Sequence, residues 1–200
     1  MKKTIKNSNE YEKYFSHLKQ ISILGSIYKK YLSSPIIFIS ARFFGKDVIE
    51  IGSGIGSGLL GSFPNTVKGL DINPIAIDYC KSKGMRAELI NIDGKFPISD
   101  SQFDCCVLDN VLEHIEDPQK TLDECYRITR QGGGLVIVVP GIRGFNSDID
   151  HKKFYDSIDL KGLDVRWQFL NSFSIPFFFK SDVFSRLIRQ YCLIAVYRKI

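Results

Sequence analysis

Val48-Ile49-Glu50-Ile51-Gly52-Ser53-Gly54-Ile55-Gly56-Ser57-Gly58 is the stretch that decides the fold. An apolar run with one acid near its end breaks into a glycine-rich turn, the sequence form of a buried strand that delivers a cofactor loop. Two glycine patterns compete for it. A dinucleotide site needs Gly-x-Gly-x-x-Gly directly after the strand, so that a helix N-terminus faces a pyrophosphate. Counted from Gly52, the sixth position is Ser57, and the letters fit only from Gly56 to Gly61, too far past Ile51 to form the first tight turn. What stands at the strand end is acid-x-Gly-x-Gly-x-Gly: Glu50, Gly52, Gly54 and Gly56. A carboxylate two residues before the first glycine is misplaced beside a pyrophosphate and well placed beside a cation. A nicotinamide-dependent oxidoreductase using the displaced glycines is the weaker reading, and no nicotinamide binding is expected.

Outward from this loop, strand and helix signals alternate, the mark of a parallel sheet with helices on both faces. Strands are predicted over residues 46–51, 66–70, 86–90, 103–109 and 135–139, the last too apolar to be anything but central. Asn73 can cap and Pro74 can start a helix that stops at Gly84. A second helix opens at Asp117-Pro118, carries Arg127 and Arg130 in its last turn, and ends at Gly132-Gly133-Gly134. Residues 154–163 read as a short helix, and residues 165–173 and 192–198 as two further strands.

Ligands of open α/β sheets sit outside the carboxyl ends of the strands. The first strand ends in Glu50 and the glycines. The second ends in Asp71, nineteen residues after Gly52, where an acid can accept from both hydroxyls of a ribose. The third ends in Asn91-Ile92-Asp93, where Asp93 can accept from an adenine amine, and the fourth in Asp109-Asn110-Val111-Leu112-Glu113-His114.

With these motifs in order, residues 46–140 resemble the class I S-adenosylmethionine-dependent methyltransferases, in particular the small bacterial type 11 group related to the quinone-biosynthesis enzymes. The resemblance implies a Rossmann-like, seven-stranded, mostly parallel sheet with helices on both faces and an antiparallel last strand. It implies S-adenosylmethionine as cofactor, held by Glu50, Gly52, Ser53, Gly54, Gly56, Asp71, Ile72, Ile92, Asp93, Asp109 and Asn110. The acceptor is expected to be a small molecule, or the sugar or lipid part of a glycan. His114, His151 and Tyr155 are the candidate bases if the acceptor must lose a proton. Glu113, His114 and His151 are also similar to the ligands of metal-binding RNA 3′-end methyltransferases, but those use another glutamate where this chain has Asn110, and no metal is expected. A protein with this fold that binds cofactor without turnover and serves as a partner- or membrane-associated module is the alternative from another class.

Length favours one domain: residues 1–45 form a helical cover of a unit completed by residues 46–200. Tyr11, Tyr14, Phe15 and Leu18 make one apolar stripe, and Leu24, Ile27, Tyr28, Tyr31 and Leu32 another. Pro35 is expected to interrupt this pattern, with residues 36–39 resuming a helix that ends near Gly45. No apolar run approaches the roughly 20 residues of a membrane span, and the basic N-terminus leads into polar residues with no signal-peptide core. Cys80, Cys105, Cys106, Cys125 and Cys192 lack a Cys-x-x-Cys pair and read as reduced, buried residues. A soluble, cytoplasmic protein is expected.

Residues 1–46 hold nine Lys/Arg against two acids, residues 47–160 eleven against eighteen, and residues 161–200 seven against two, giving segments of +7, −7 and +5. Solvated surface charge is the plain explanation. A basic surface facing an anionic acceptor or membrane is the sharper one, while nucleic acid, without a recognisable module, is not expected. Ile175-Pro176-Phe177-Phe178-Phe179-Lys180 reads as core or pocket wall, with a lipid- or partner-facing patch as second reading.

Overall fold

The computed structural model describes residues 8–19, 23–91 and 94–200. One seven-stranded sheet organises them. Its strands are β1 (Val48–Ile51), β2 (Val67–Asp71), β3 (Ala87–Leu89), β4 (Phe103–Asp109), β5 (Thr129–Pro140), β6 (Trp167–Ile175) and β7 (Cys192–Lys199), in the order β3-β2-β1-β4-β5-β7-β6. The pairings β1–β2, β1–β4, β2–β3 and β4–β5 are parallel. β7 runs antiparallel to both β5 and β6, so the last strand reverses, as expected. The order turns back between β1 and β4, and at that switch point the loops after neighbouring strands diverge and leave a crevice.

Side-chain alternation divides the core. Ile49, Ile51, Leu70, Cys106, Leu108, Leu135 and Ile137 face one side, where Leu122, Cys125 and Ile128 of α6 (Gln119–Ile128) cover them. Val48, Val67, Cys105, Val107, Val136 and Val138 face the other, under Ile37 and Ala41 of α3 (Ser34–Arg42), Leu59 and Leu60 of α4 (Leu59–Ser62), and Ile77 and Cys80 of α5 (Pro74–Ser82). All five cysteines are buried and unpaired. At the start of α5 the Asn73 side chain accepts from the Ile75 and Ala76 N–H groups, the cap its sequence predicts.

The N-terminal region departs from expectation at Pro35. After α1 (Ser8–Lys19) and α2 (Ile23–Tyr28), the chain passes through a π-helical turn, Lys29–Ser33, straight into α3. Pro35 lies in the first turn of α3, where its missing N–H costs nothing, so it starts a helix and interrupts none. The glycine run 132–134 also differs from prediction. β5 begins at Thr129, so Arg130 belongs to no helix end and instead pairs with Asp47 and Asp104.

Further along come a one-turn 3₁₀ helix (Leu112–His114), α7 (Ile142–Phe145), α8 (Ser157–Lys161) and α9 (Asp182–Leu187). Between β6 and α9, Phe177, Phe178 and Phe179 are exposed at 38%, 59% and 56%, so the expectation of core or pocket wall fails for them. Ile175 completes the buried edge of the sheet; beyond it the Phe177 and Phe179 rings pack on each other and on Phe184, while the Phe178 ring stacks on Phe173. Among the described residues, no helix is long and apolar enough to cross a membrane.

Candidate cofactor and acceptor site

The carboxyl ends of β1, β2 and β4 bring Glu50, Asp71 and Asp109 to one crevice, and all three are buried. Glu50 sits under the glycine turn. Its Oε1 accepts from Leu59 N–H at 3.2 Å and its Oε2 from Leu60 N–H at 2.8 Å, so the carboxylate fastens the start of α4. A Cβ on Gly58 would stand 2.6 Å from Glu50 Oε1, which is why that position has none. Burial, and after it the Asp109 charge, push the Glu50 carboxyl up to about 7, against the pull of the two N–H groups and Lys29. Gly52, Gly54 and Gly56 all have positive φ, at 74°, 52° and 73°, conformations that let the turn fold back over the strand ends.

Asp71 ties the same loop to β2: Oδ2 accepts from Gly54 N–H at 2.7 Å and Oδ1 from Asn73 N–H at 2.8 Å. Asn110, itself at a φ of 54°, donates from Nδ2 to Asp109 Oδ1 at 2.7 Å. The Ser53 side chain turns inward; its Oγ is buried and would lie 2.6 Å from a Cβ on Gly69. Only its backbone can face a ligand. Ile72 packs against the core beside Asp71. Ile92 and Asp93 lie outside the described residues.

Two residues that the sequence hid among helical charges and stripes complete this side. Lys29, the first residue of the π-helical turn, places Nζ 3.9 Å from Asp109 Oδ2. The Asp109 charge, opposed by burial and helped by Glu50, raises its ammonium above the ordinary lysine value. Tyr14 of α1 lies in the field of both Asp71 and Glu113, and burial holds its hydroxyl well above the usual range. α1 lies across the loop: Asn73 Nδ2 donates to the Tyr11 carbonyl at 3.1 Å, and Leu18 Cδ1 stands 3.3 Å from where a Gly54 Cβ would be. The signal that could have found Lys29 is the helical register, which puts a lysine one turn before the buried Ser33 and Ser34.

The histidine side is separate but adjacent. His114 and His151, distant in sequence, stack edge to face with centroids 4.6 Å apart. His151 Nδ1 lies 2.8 Å from the Phe145 carbonyl, which can only accept, so Nδ1 donates there, and Nε2 stands 3.9 Å from both Glu113 Oε1 and Asp148 Oδ2. Burial, then the neighbouring His151, pull the His114 imidazole below its ordinary value. Glu113 is fully buried, and burial pushes its carboxyl up to about 8. Tyr155 does not join the pair. It is 1% exposed within the core, and burial, helped by the Glu113 charge, pushes its hydroxyl up to about 12.

A further groove, about 1040 Å³, lies at the opposite, amino ends of the strands between Arg42, Lys46, Thr66, Arg86 and Gln102. It holds none of the residues above.

A family model described as a methyltransferase domain matches residues 49–137. A probable S-adenosylmethionine-dependent methyltransferase of Mycolicibacterium smegmatis is 29% identical over 51% of this chain and 41% of its own length. The ubiquinone biosynthesis O-methyltransferase of Coxiella burnetii is 29% identical over 59% of this chain and 51% of its own length. The chain thus spans about half, or less, of the curated relatives it matches. Among solved structures, a methyltransferase of Haloferax volcanii in complex with the activator Trm112 superposes with a TM-score of 0.71 at 16% identity, over 95% of this chain and 97% of that one. An S-adenosylmethionine-dependent methyltransferase of Thermotoga maritima gives 0.68 at 16% identity, over 95% and 98%. These two likenesses establish the fold.

Proposed function

We propose that this chain, which belongs to the class I S-adenosylmethionine-dependent methyltransferases of the type 11 group, transfers a methyl group to a small-molecule, sugar or lipid-linked acceptor. The observation that carries the reading is the gathering of Glu50, Asp71 and Asp109 around a glycine turn at the sheet's switch point. A buried acid cluster requires a positive partner, and the turn offers backbone but no helix N-terminus aimed at a phosphate. Both features suit a ligand with a sulfonium, an ammonium and a ribose.

When bound, S-adenosylmethionine supplies a methyl group already activated on sulfur. The chain's own contribution is placement. Asp71 would hold the ribose, its carboxylate already oriented by the Gly54 and Asn73 N–H groups. Asp109, kept in position by Asn110, and Glu50 would hold the cationic end. Lys29 must yield its place beside Asp109, because two cations there repel. α1, lying over the loop, would exclude water from the crevice.

The acceptor would enter over β4 and β5, past the histidine pair. The exposed Phe177, Phe178 and Phe179 follow β6, and Val183 and Leu187 of α9 extend the patch with Lys180, Arg186 and Arg189 among them. Such a patch favours an acceptor with an apolar portion and an anionic neighbourhood, and would give the chain a peripheral contact with a lipid surface.

Isothermal titration with S-adenosylmethionine and with its demethylated product tests the cofactor, expecting saturable binding of both. Transfer of labelled methyl to a panel of phenolic, glycosidic and prenylated acceptors then tests the acceptor. No heat at high protein concentration would overturn the cofactor assignment, and labelling confined to acceptors without an apolar part would overturn the acceptor class.

A further inference from the structure

At the end of the sheet opposite the cofactor crevice, the groove of about 1040 Å³ gathers Arg42, Lys46, Lys68, Lys81, Arg86 and Arg130. Lys68, Lys81, Arg86 and Arg130 come from residues 47–160, where acids outnumber Lys and Arg by eighteen to eleven. The fold therefore concentrates here a charge that the surrounding sequence lacks. Two carboxylates line the groove as well, and each is already paired: Asp47 with Arg130 at 2.8 Å, and Glu88 with Lys68 at 2.9 Å. Among the described residues, no ion pair engages Arg42, Lys46, Lys81 or Arg86.

The two unpaired arginines are nevertheless held in place. Arg42 Nη1 donates to the Gly45 carbonyl at 2.9 Å, and Arg86 Nη2 donates to the Asn65 carbonyl at 3.0 Å. A carbonyl fixes a guanidinium without neutralising it and leaves the rest of the fork to meet an oxyanion. Arg42 and Lys81 lie in the last turns of α3 and α5, where a cation complements the helix carbonyls. Lys46 and Arg86 precede β1 and β3 and end no helix, so the helix dipole does not account for them.

We propose that this groove binds a small molecule carrying two or more phosphate groups, at a site separate from the cofactor crevice. Uncompensated cations from four segments match an oligophosphate in charge, and a forked contact to phosphate oxygens is the strongest that each arginine can make. The volume is that of a small-molecule site, and the cations converge on this one concavity. The buried acids at the other end of the sheet repel the same ligand. Charge thus sorts the two sites, with a cationic ligand drawn to the acids and an anionic one to the groove. This assignment does not depend on the methyltransferase reading.

Calorimetric titration of the tag-free full chain with inorganic triphosphate, and in parallel with adenosine triphosphate, tests the site and separates a bare oligophosphate from a nucleotide. The expected result is one equivalent of at least one of them bound, more weakly as NaCl rises from about 50 to about 200 mM. Arg86→Gln should weaken that binding about tenfold, and saturating S-adenosylmethionine should leave it unchanged. Should the variant misfold, the ligand added to wild-type protein should shift the backbone amide resonances of residues 42–47 and 81–88. No heat with either probe, equal affinity in a folded Arg86→Gln chain, unmoved amides in those segments, or displacement by S-adenosylmethionine would each overturn the proposal. A single-stranded oligonucleotide whose affinity rises with its length and exceeds that of both probes would give the groove to nucleic acid and overturn the small ligand.

Discussion

Replacing Glu50 with glutamine isolates what its buried charge does. Glu50 is 2% exposed, and each oxygen accepts one backbone N–H. Its carboxyl is raised from 4.5 to about 7 by burial and then by Asp109. The folded chain therefore keeps a proton that the unfolded chain releases near 4.5. Below that pH the group takes nothing from stability; as pH rises through the window from 4.5 to about 7 stability falls, and above about 7 the loss is complete. At roughly 1.36 kcal/mol for each pH unit, the gap is worth about 3 kcal/mol. Glutamine keeps the shape and does not titrate. Its amide nitrogen cannot accept from Leu59 or Leu60, a loss of about 1–3 kcal/mol that is the same at every pH. That constant cancels when the two chains are compared across pH. Urea denaturation at about pH 4 and about pH 8 should show Glu50→Gln gaining on the wild type by about 3 kcal/mol between the two. Stability curves that run parallel within about 1 kcal/mol would refute the reasoning. A second arm reads the same proton: a cationic ligand favours the ionised carboxylate, so S-adenosylmethionine should release protons on binding near pH ~6, measurable in buffers of different ionisation enthalpy, and Glu50→Gln should abolish that release.

Lys29→Met removes the cation beside Asp109 and should bind S-adenosylmethionine about tenfold more tightly while lowering the stability of the free protein by about 1–3 kcal/mol, a loss reduced from the fully buried case because the lysine is partly exposed; weaker binding would show that Lys29 is a ligand contact and no competitor. Asp71→Asn should cost about 1.4–2.8 kcal/mol of cofactor affinity, or ten- to a hundredfold, through the ribose and the Gly54 N–H together, and unchanged calorimetric affinity would displace the ribose from Asp71. Gly56→Ala and Gly84→Ala form a matched pair, with φ at 73° and 75°. The first meets Met85 Sδ at 2.5 Å and the second meets nothing within 4 Å, so both should lose the roughly 1–2 kcal/mol of left-handed strain and only Gly56→Ala more; equal thermal shifts would contradict the packing.

The sheet was legible because each of its signals is local. Residues 103–109 are apolar nearly throughout and bury nearly throughout, and Asn73-Pro74 caps the helix its sequence predicts. The acids at the strand ends were legible for the same reason: in a parallel sheet, position along the chain sets the end of the strand. What escaped depends on long-range contact. Lys29 reads as one more solvated charge on an amphipathic helix until α3 docks on the sheet and points the preceding turn at Asp109. Tyr155 reads as an acceptor-side base because it lies near His151 in the sequence, yet its ring packs into the core. The phenylalanines after Ile175 carry the composition of a core without the periodicity of one, and composition alone does not say on which side of the edge strand they fall.

The acids of the crevice differ in how the protein has satisfied them, and that difference separates their roles. Glu50 and Asp71 each take two backbone N–H groups from the loop they support, so their charges are balanced locally and their first effect is to hold the glycine turn in shape for a ligand. Asp109 has a side-chain amide on one oxygen and Lys29 near the other, a cation carried on a turn of the N-terminal helices and therefore displaceable. Among the described residues, Glu113 finds no hydrogen-bond donor beyond its own backbone N–H.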